Sequence, residues 1–152
     1  EAGTAYKGTI KSAIGLGSLL FDGIGDTIRV SLSTDPVEEV LAGKEILKAL
    51  GLRKQGVEII SCPTCARCKI NIIKTAQTLE KELSFVKCNL KVAVMGCTVN
   101  GPGEAKEADI GITGGDGEAL LFKKGKIIRR IPEDEIIREL IGEIVQMTGE
   151  ER

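Results

Sequence analysis

The stretch that decides the fold is "VEIISCPTCARC", residues 57–68, in which a short apolar run leads directly into three cysteines. The β-branched residues of "VEIIS" are typical of a buried strand. Apolar residues at three- and four-residue spacing follow, and they predict a helix from about Cys65 to Lys81. "LKVAVMG", residues 90–96, predicts a second strand. This order of elements indicates a βαβ unit with parallel strands.

The remainder of the second half completes a small domain. "DIGITGG", residues 109–115, predicts a strand, and "GEALLFKKGKIIRRI", residues 117–131, predicts a hairpin that turns at Lys124-Gly125. "PEDEIIRELIGEIVQM", residues 132–147, predicts a terminal helix with acidic residues in its first turn. We therefore expect residues 55–152 to form a small α+β domain with a largely antiparallel or mixed sheet.

The first fifty residues predict helix, strand, helix. Helical spacing covers residues 9–23, "DTIRVSL" at 26–32 suits a buried parallel strand, and a helix follows to about Leu50. Ser33 or Thr34 is the expected N-cap of that helix, and Gly51 ends it. Because these elements cannot close a sheet alone, residues 1–54 are interpreted as the C-terminal end of a (β/α)8 barrel. The fold class is thus α/β plus α+β, a barrel tail followed by a mixed-sheet domain.

Composition excludes several classes of protein. A net charge of −1 over 152 residues gives no electrostatic footprint for nucleic acid, and the apolar runs are too short to cross a bilayer. No signal peptide is visible, and the absence of histidine removes Ser-His and Cys-His catalysis. The five cysteines do not match a secreted disulfide framework, so reduced thiols in a cytoplasmic protein are expected. The chain begins without methionine, and we expect a fragment or a processed product.

Three of the cysteines are expected to converge. Cys62 and Cys65 form a C-x-x-C pair at the predicted strand-to-helix junction, and Cys97 ends the next strand. The carboxyl ends of parallel strands lie at one edge of a sheet, so these three thiols are expected to meet. Cys88 precedes its strand and should lie at the opposite edge as a structural thiol. Cys68 would be one turn inside the predicted helix, pointing away from the site.

Glu104 is the candidate fourth ligand, because it follows the sharp "GPG" turn in "TVNGPGE", residues 98–104. Its other interpretation is an acidic residue at a helix N-terminus. Three thiolates and one carboxylate suit a cubane cluster in which one iron exchanges its ligand. Two alternatives remain open: a thiol–disulfide oxidoreductase with a C-P-T-C site, and a zinc-binding module that uses four cysteines.

Three motifs carry a resemblance to a known family. "SCPTCAR" at 61–67, "VMGCTVNGPGEAKEADIGITGG" at 94–115 and "KSAIGLGSLL…GIGDTIRVSLSTDPVEEV" between 11 and 40 closely resemble the 4-hydroxy-3-methylbut-2-enyl diphosphate synthases of the non-mevalonate isoprenoid pathway. The resemblance implies an oxidoreductase with a TIM barrel and an iron–sulfur domain. It implies reductive ring-opening of 2-C-methyl-D-erythritol 2,4-cyclodiphosphate, with electrons from ferredoxin or flavodoxin.

The resemblance also implies roles for individual residues. A [4Fe-4S] cluster would be held by Cys62, Cys65, Cys97 and Glu104, which leaves Cys68 outside the ligand set. Asn100 would contact substrate and join Glu104 in catalysis.

In the barrel segment, the resemblance implies that Arg29 and Ser31 hold the diphosphate and that the catalytic Glu1 lies at the barrel mouth. It further implies a homodimer in which the cluster domain of one subunit caps the barrel of the other. With most of the barrel absent, we expect this chain alone to be inactive.

Overall fold

The computed structural model describes residues 3–99, 103 and 105–150. The chain divides between Lys54 and Gln55 into two compact units. No helix among the described residues is long and apolar enough to cross a membrane.

The first unit contains two helices, α1 (Ala5–Phe21) and α2 (Pro36–Ala49). Residues 27–32 between them form no strand, which corrects the strand predicted at 26–32. Burial still alternates there, since Val30 and Leu32 are buried while Arg29 is exposed and Ser31 is half-buried. A strand requires a hydrogen-bonded neighbour, and the described part of this unit offers none. The side chains of this segment therefore alternate as they do in a strand, although the segment makes no strand-to-strand hydrogen bonds in the described part of this unit.

The N-cap of α2 is Asp35, so the prediction of Ser33 or Thr34 was wrong. The Asp35 carboxylate accepts a hydrogen bond from the Val37 amide at 2.9 Å. Aspartate caps as well as serine does, and Pro36 directly after it occupies the first helical turn. Pattern alone did not distinguish three adjacent capping residues.

The second unit is a five-stranded mixed sheet with helices, in agreement with the predicted mixed sheet. Its elements in chain order are β1 (Val57–Ser61), α3 (Ile72–Glu82), β2 (Leu90–Met95), β3 (Ile110–Gly114), β4 (Glu118–Lys123), β5 (Lys126–Pro132), a 3₁₀ turn (Glu133–Glu135) and α4 (Ile136–Thr148). The strand order is β1-β2-β3-β4-β5. The first two pairings are parallel and the last two are antiparallel. β1, β2, β3 and β5 therefore end at one edge, which we call the thiol edge.

Helix α3 begins later than predicted. Its N-cap is Asn71, whose side chain accepts from the Lys74 amide at 3.0 Å, and residues 62–71 form a loop. The prediction of a helix from Cys65 was wrong because the apolar spacing continues into this loop, where Ile70 is buried without being helical. The three cysteines of residues 62–68 therefore lie in a loop, ahead of the N-terminus of α3.

The two faces of the sheet are covered differently. The first, called the helical face, packs against α3 and α4; its core includes Val92, Val94, Ile110, Ile112, Leu79, Leu140 and Ile144. The second, called the loop face, carries Ala93, Met95 and Phe122 and is covered by Ala105 and Ala108. The side chains of Ala105 and Ala108 belong to the connection between β2 and β3. That connection also follows Cys97.

A buried carboxylate fastens α4 to the β4–β5 hairpin. Glu143 is 8% exposed, and its two oxygens accept from Lys123 at 2.5 Å and from Arg129 at 2.6 Å. The hydrogen bond from Lys123 and that from Arg129 hold the pKa of Glu143 below its ordinary value. The hairpin turns at Lys124-Gly125, as predicted, with both residues at positive φ (46° and 74°).

Candidate metal centre

Cys62 and Cys97 lie at the thiol edge, as their sequence positions predict. Cys62 follows β1 directly, Cys97 lies two residues after β2, and the two strands are parallel neighbours. The Gly96 amide donates a hydrogen bond to Cys62 Sγ at 3.3 Å. This hydrogen bond joins the Cys62 thiol to Gly96, the residue directly before Cys97. Both thiols are half-buried.

Cys65 lies in the loop that follows Cys62 and is exposed. Its carbonyl accepts from the Cys68 amide at 3.0 Å, and the Lys69 amide donates to the Gly96 carbonyl at 2.8 Å. The loop is thus hydrogen-bonded to the end of β2 at Lys69, four residues after Cys65. Among residues 3–99, 103 and 105–150, no three Cys, Asp or Glu side chains are close enough to hold one metal ion. Binding of one metal ion by Cys62, Cys65 and Cys97 would require these thiols to come closer together.

Cys68 has a packing role that its predicted place in a helix did not reveal. Its thiol donates to the Ile70 carbonyl at 3.0 Å, and its side chain packs against the core of the helical face. A Cβ at Gly96 would lie 2.6 Å from Cys68 Sγ and 2.6 Å from Ile72 Cδ1. Cys68 therefore fills the space beneath Gly96 on the helical face. Packing beneath Gly96, rather than a position inside a helix, keeps Cys68 outside the predicted ligand set.

Cys88 lies at the opposite edge, as predicted. It precedes β2, and its amide donates to Glu150 Oε1 at 3.0 Å. Burial, followed by the nearby Glu150 carboxylate, raises the pKa of the Cys88 thiol. A raised pKa keeps the thiol protonated, which suits a structural cysteine. No disulfide joins any of the five cysteines, all of which the structure describes.

A cavity of about 700 Å³ with a mixed polar and apolar lining lies beside Cys97. Its walls include two ion pairs, Lys69–Asp116 at 2.9 Å and Arg130–Glu118 at 2.7 Å. The hydrogen bond and charge of Asp116 raise the pKa of Lys69. Leu120, a loop-face residue of β4, also lines this cavity. Cys97 therefore lines an open pocket that also carries basic and acidic side chains.

Thr113 is the residue near this edge that sequence reasoning missed. It is 1% exposed, and its hydroxyl has no hydrogen-bond partner among the described residues. Alternation along β3 places it on the loop face, since Ile112 belongs to the helical-face core. Its neighbours across the sheet are Met95 and Leu120. A threonine in "DIGITGG" gave no signal beyond its β-propensity.

The remaining predicted site residues separate into two groups. In the first unit, Arg29 and Ser31 alternate with the buried Val30 and Leu32, so they share one side of the extended segment. Glu1, Asn100 and Glu104 lie outside the described residues. The residue after Glu104 is described: Ala105 is 2% exposed and belongs to the loop-face cluster against which Cys62 packs.

The fold and the site define a thiol-bearing α+β domain preceded by a barrel-type α/β segment. The chain belongs to the GcpE family: the model described as "GcpE protein C-terminal domain" matches residues 58–146, and the "GcpE TIM-barrel domain" model matches residues 1–44. The first unit is therefore the tail of a barrel domain. This confirms the resemblance that the three motifs indicated.

Similar proteins are named "4-hydroxy-3-methylbut-2-en-1-yl diphosphate synthase (flavodoxin)". The chain is 63% identical over 147 residues to the one from Ruminiclostridium cellulolyticum, an alignment covering 97% of this chain and 42% of the relative. It is 64% identical over 151 residues to the one from Caldanaerobacter subterraneus subsp. tengcongensis, covering 99% of this chain and 42% of the relative. It is 59% identical over 150 residues to the one from Geobacter sulfurreducens, covering 99% of this chain and 42% of the relative. The chain thus spans less than half the length of these relatives.

Proposed function

We propose that this chain is the cluster-bearing portion of a 4-hydroxy-3-methylbut-2-en-1-yl diphosphate synthase. The whole enzyme would carry out the two-electron reductive ring-opening of 2-C-methyl-D-erythritol 2,4-cyclodiphosphate. The observation that carries the proposal is the position of Cys62 and Cys97 at one sheet edge, joined through the Gly96 amide. The names and high identity of the relatives supply the reaction.

The proposed ligand set of a [4Fe-4S] cluster is Cys62, Cys65, Cys97 and Glu104. Its donors fit: two half-buried thiols share an edge, and the third, Cys65, is exposed in the loop that follows Cys62. Ala105 is buried with Cys62 on the loop face, which brings the residue after Glu104 to the same side of the sheet. Metal binding commonly organises such loops, so closure of Cys65 onto the site would accompany loading.

When bound, such a cluster supplies single electrons and a Lewis-acidic iron. The chain would contribute the Gly96 amide, which donates to a ligand sulfur and holds Cys62 in place. Glu104 would serve as the exchangeable oxygen ligand, and Asn100 would orient the substrate. In the barrel segment, Arg29 offers a bidentate fork to a phosphate and Ser31 a hydroxyl from the same side. Glu1 would complete the catalytic set.

Partners and location follow from the same proposal. The relatives' names specify flavodoxin, which favours flavodoxin over ferredoxin as the electron donor. The enzyme would act in the cytoplasm as a homodimer whose cluster domain caps a partner's barrel.

The thiol–disulfide alternative loses its main premise, because α3 begins at Ile72 and leaves the C-P-T-C segment without a helix N-terminus. Metal analysis distinguishes a zinc module from the proposed cluster.

The test is anaerobic reconstitution of the full-length protein with iron and sulfide. We expect about four irons and four sulfides per chain. Cys97→Ser should lose most of this iron, whereas Cys88→Ser, a change at the opposite edge, should retain it. Glu104→Ala should keep bound iron and lose turnover. Equal iron contents in the Cys97 and Cys88 variants, or zinc in place of iron, would contradict the proposal.

A further inference from the structure

The Thr113 hydroxyl is buried without a hydrogen-bond partner among the described residues. Thr113 is 1% exposed, and hydroxyls buried in this way without a partner cost about 1–3 kcal/mol. Other threonines of this unit illustrate the usual solution: Thr78 Oγ1 donates to the Lys74 carbonyl at 2.8 Å, and Thr148 Oγ1 donates to the Ile144 carbonyl at 3.0 Å. The orphan at position 113 is the exception that requires an explanation.

The position of Thr113 relates the hydroxyl to the thiol edge. Thr113 is paired with Met95 of β2, and Cys97 follows Met95 by two residues. Met95, the cross-strand partner of Thr113 on the loop face, belongs to the cluster against which Cys62 packs. Leu120, the other cross-strand partner of Thr113, lines the cavity beside Cys97. Thr113 is therefore the cross-strand neighbour of one residue in the Cys62 cluster and of one residue that lines the cavity beside Cys97.

We propose that Thr113 is a positioning residue whose hydroxyl donates a hydrogen bond to a sulfur of the cluster site, either a cysteine ligand or an inorganic sulfide. This inference rests on the proposed function, since it requires a cluster at the thiol edge. Hydroxyls donate to sulfur, and hydrogen bonds to cluster sulfurs raise the reduction potential because they stabilise the more electron-rich reduced state. Thr113 would thus favour acceptance of an electron from the donor protein.

The experiment compares Thr113→Val, which removes the hydroxyl at nearly constant shape, with Thr113→Ser, which retains it. Reduction potentials are measured by spectroelectrochemical titration of the reconstituted full-length protein. We expect Thr113→Val to reduce the equilibrium constant for one-electron reduction about tenfold, a potential about 59 mV more negative. Thr113→Ser should stay near the wild type. Thr78→Val, on the exposed side of α3, is the matched control and should leave the potential unchanged.

A second measurement separates a bond to the cluster from a bond within the protein. In the apoprotein, Thr113→Val should leave the melting temperature unchanged or raise it, because it removes an unpartnered buried hydroxyl. A lower melting temperature of the apo variant would show that the protein itself uses the hydroxyl, and would overturn the inference. So would an unchanged potential in the holo variant. If Thr113→Val fails to fold, Thr113→Ala replaces it, with the same measurements of holoprotein reduction potential and apoprotein melting temperature.

Failure of the proposed function has a different signature. A wild-type protein that takes up no iron and sulfide would remove the cluster and, with it, both proposals. A wild-type protein that binds the cluster while Thr113→Val keeps the wild-type potential would overturn only the role of Thr113.

Discussion

Replacement of Gly96 by alanine tests how the cysteine loop is held against the sheet. The added methyl group would lie 2.6 Å from both Cys68 Sγ and Ile72 Cδ1, where ordinary contacts begin near 3.5 Å. The overlap is thus about 1 Å with each of two neighbours. Ile72 is 3% exposed and has little room to move. We expect Gly96→Ala to lower the free energy of unfolding by about 2–3 kcal/mol, the upper range for overpacking.

A double-mutant cycle with Cys68 identifies the cause of that loss. Cys68→Ala removes one of the two overlapping atoms and should cost about 1 kcal/mol by itself, through lost packing. In the double variant, the penalty of Gly96→Ala should shrink by about 1 kcal/mol, because the clash with Ile72 remains. The free energies are measured by urea unfolding of the chain, followed by far-ultraviolet circular dichroism.

Two results would refute this reasoning. Strictly additive free energies would mean that Cys68 does not occupy the space beneath Gly96. An unchanged stability of Gly96→Ala would mean that the loop is not packed there at all. The same variants report on function: Cys68→Ala should retain the iron of the reconstituted protein, which a cluster ligand would not do.

Two further predictions concern α4. Glu143→Gln should lower the free energy of unfolding by about 1–2 kcal/mol near neutral pH, since it removes the charge from two hydrogen bonds. Because the folded-state pKa of Glu143 is lowered, its stabilising effect is present above the unfolded value near 4.3 and is lost as pH falls through the folded value. The difference between variant and wild type in urea unfolding should therefore vanish in acid; a pH-independent difference would contradict the role of the charge. Gly142→Ala, at an exposed position where a Cβ meets no atom within 4 Å, should stabilise the chain by about 1 kcal/mol, and a lower melting temperature would contradict it.

The sequence predicts the sheet of the second unit well because its strands are locally determined. β1 and β2 are short, mostly apolar runs rich in β-branched residues, and the hairpin has a glycine where positive φ is needed. The parallel pairing then follows from the helix between β1 and β2, and with it the meeting of Cys62 and Cys97 at one edge.

The errors arose where tertiary contacts override local pattern. The spacing of Ile70 fits a helix, but the Lys69 amide is used by the Gly96 carbonyl at the end of β2, and the helix starts only after Asn71. The segment at 26–32 has the composition of a strand and no strand beside it in the described unit. Thr113 could not be selected from sequence, because its interest lies in an unsatisfied hydroxyl. The missing hydrogen-bond partner of the Thr113 hydroxyl becomes visible only in the folded structure.

The exposed position of Cys65 has a consequence for assembly of the centre. The Gly96 amide donates to Cys62 Sγ, and the Gly96 carbonyl accepts from the Lys69 amide. The chain between Cys62 and Lys69 is thus a short arch, a loop whose two ends are both hydrogen-bonded to Gly96. In the proposed cluster protein, iron and sulfide transferred to the chain would first meet the exposed thiol of Cys65 while the sheet stays folded. We expect transfer to begin at Cys65 and to finish as the arch folds down, so that maturation and closure are a single event.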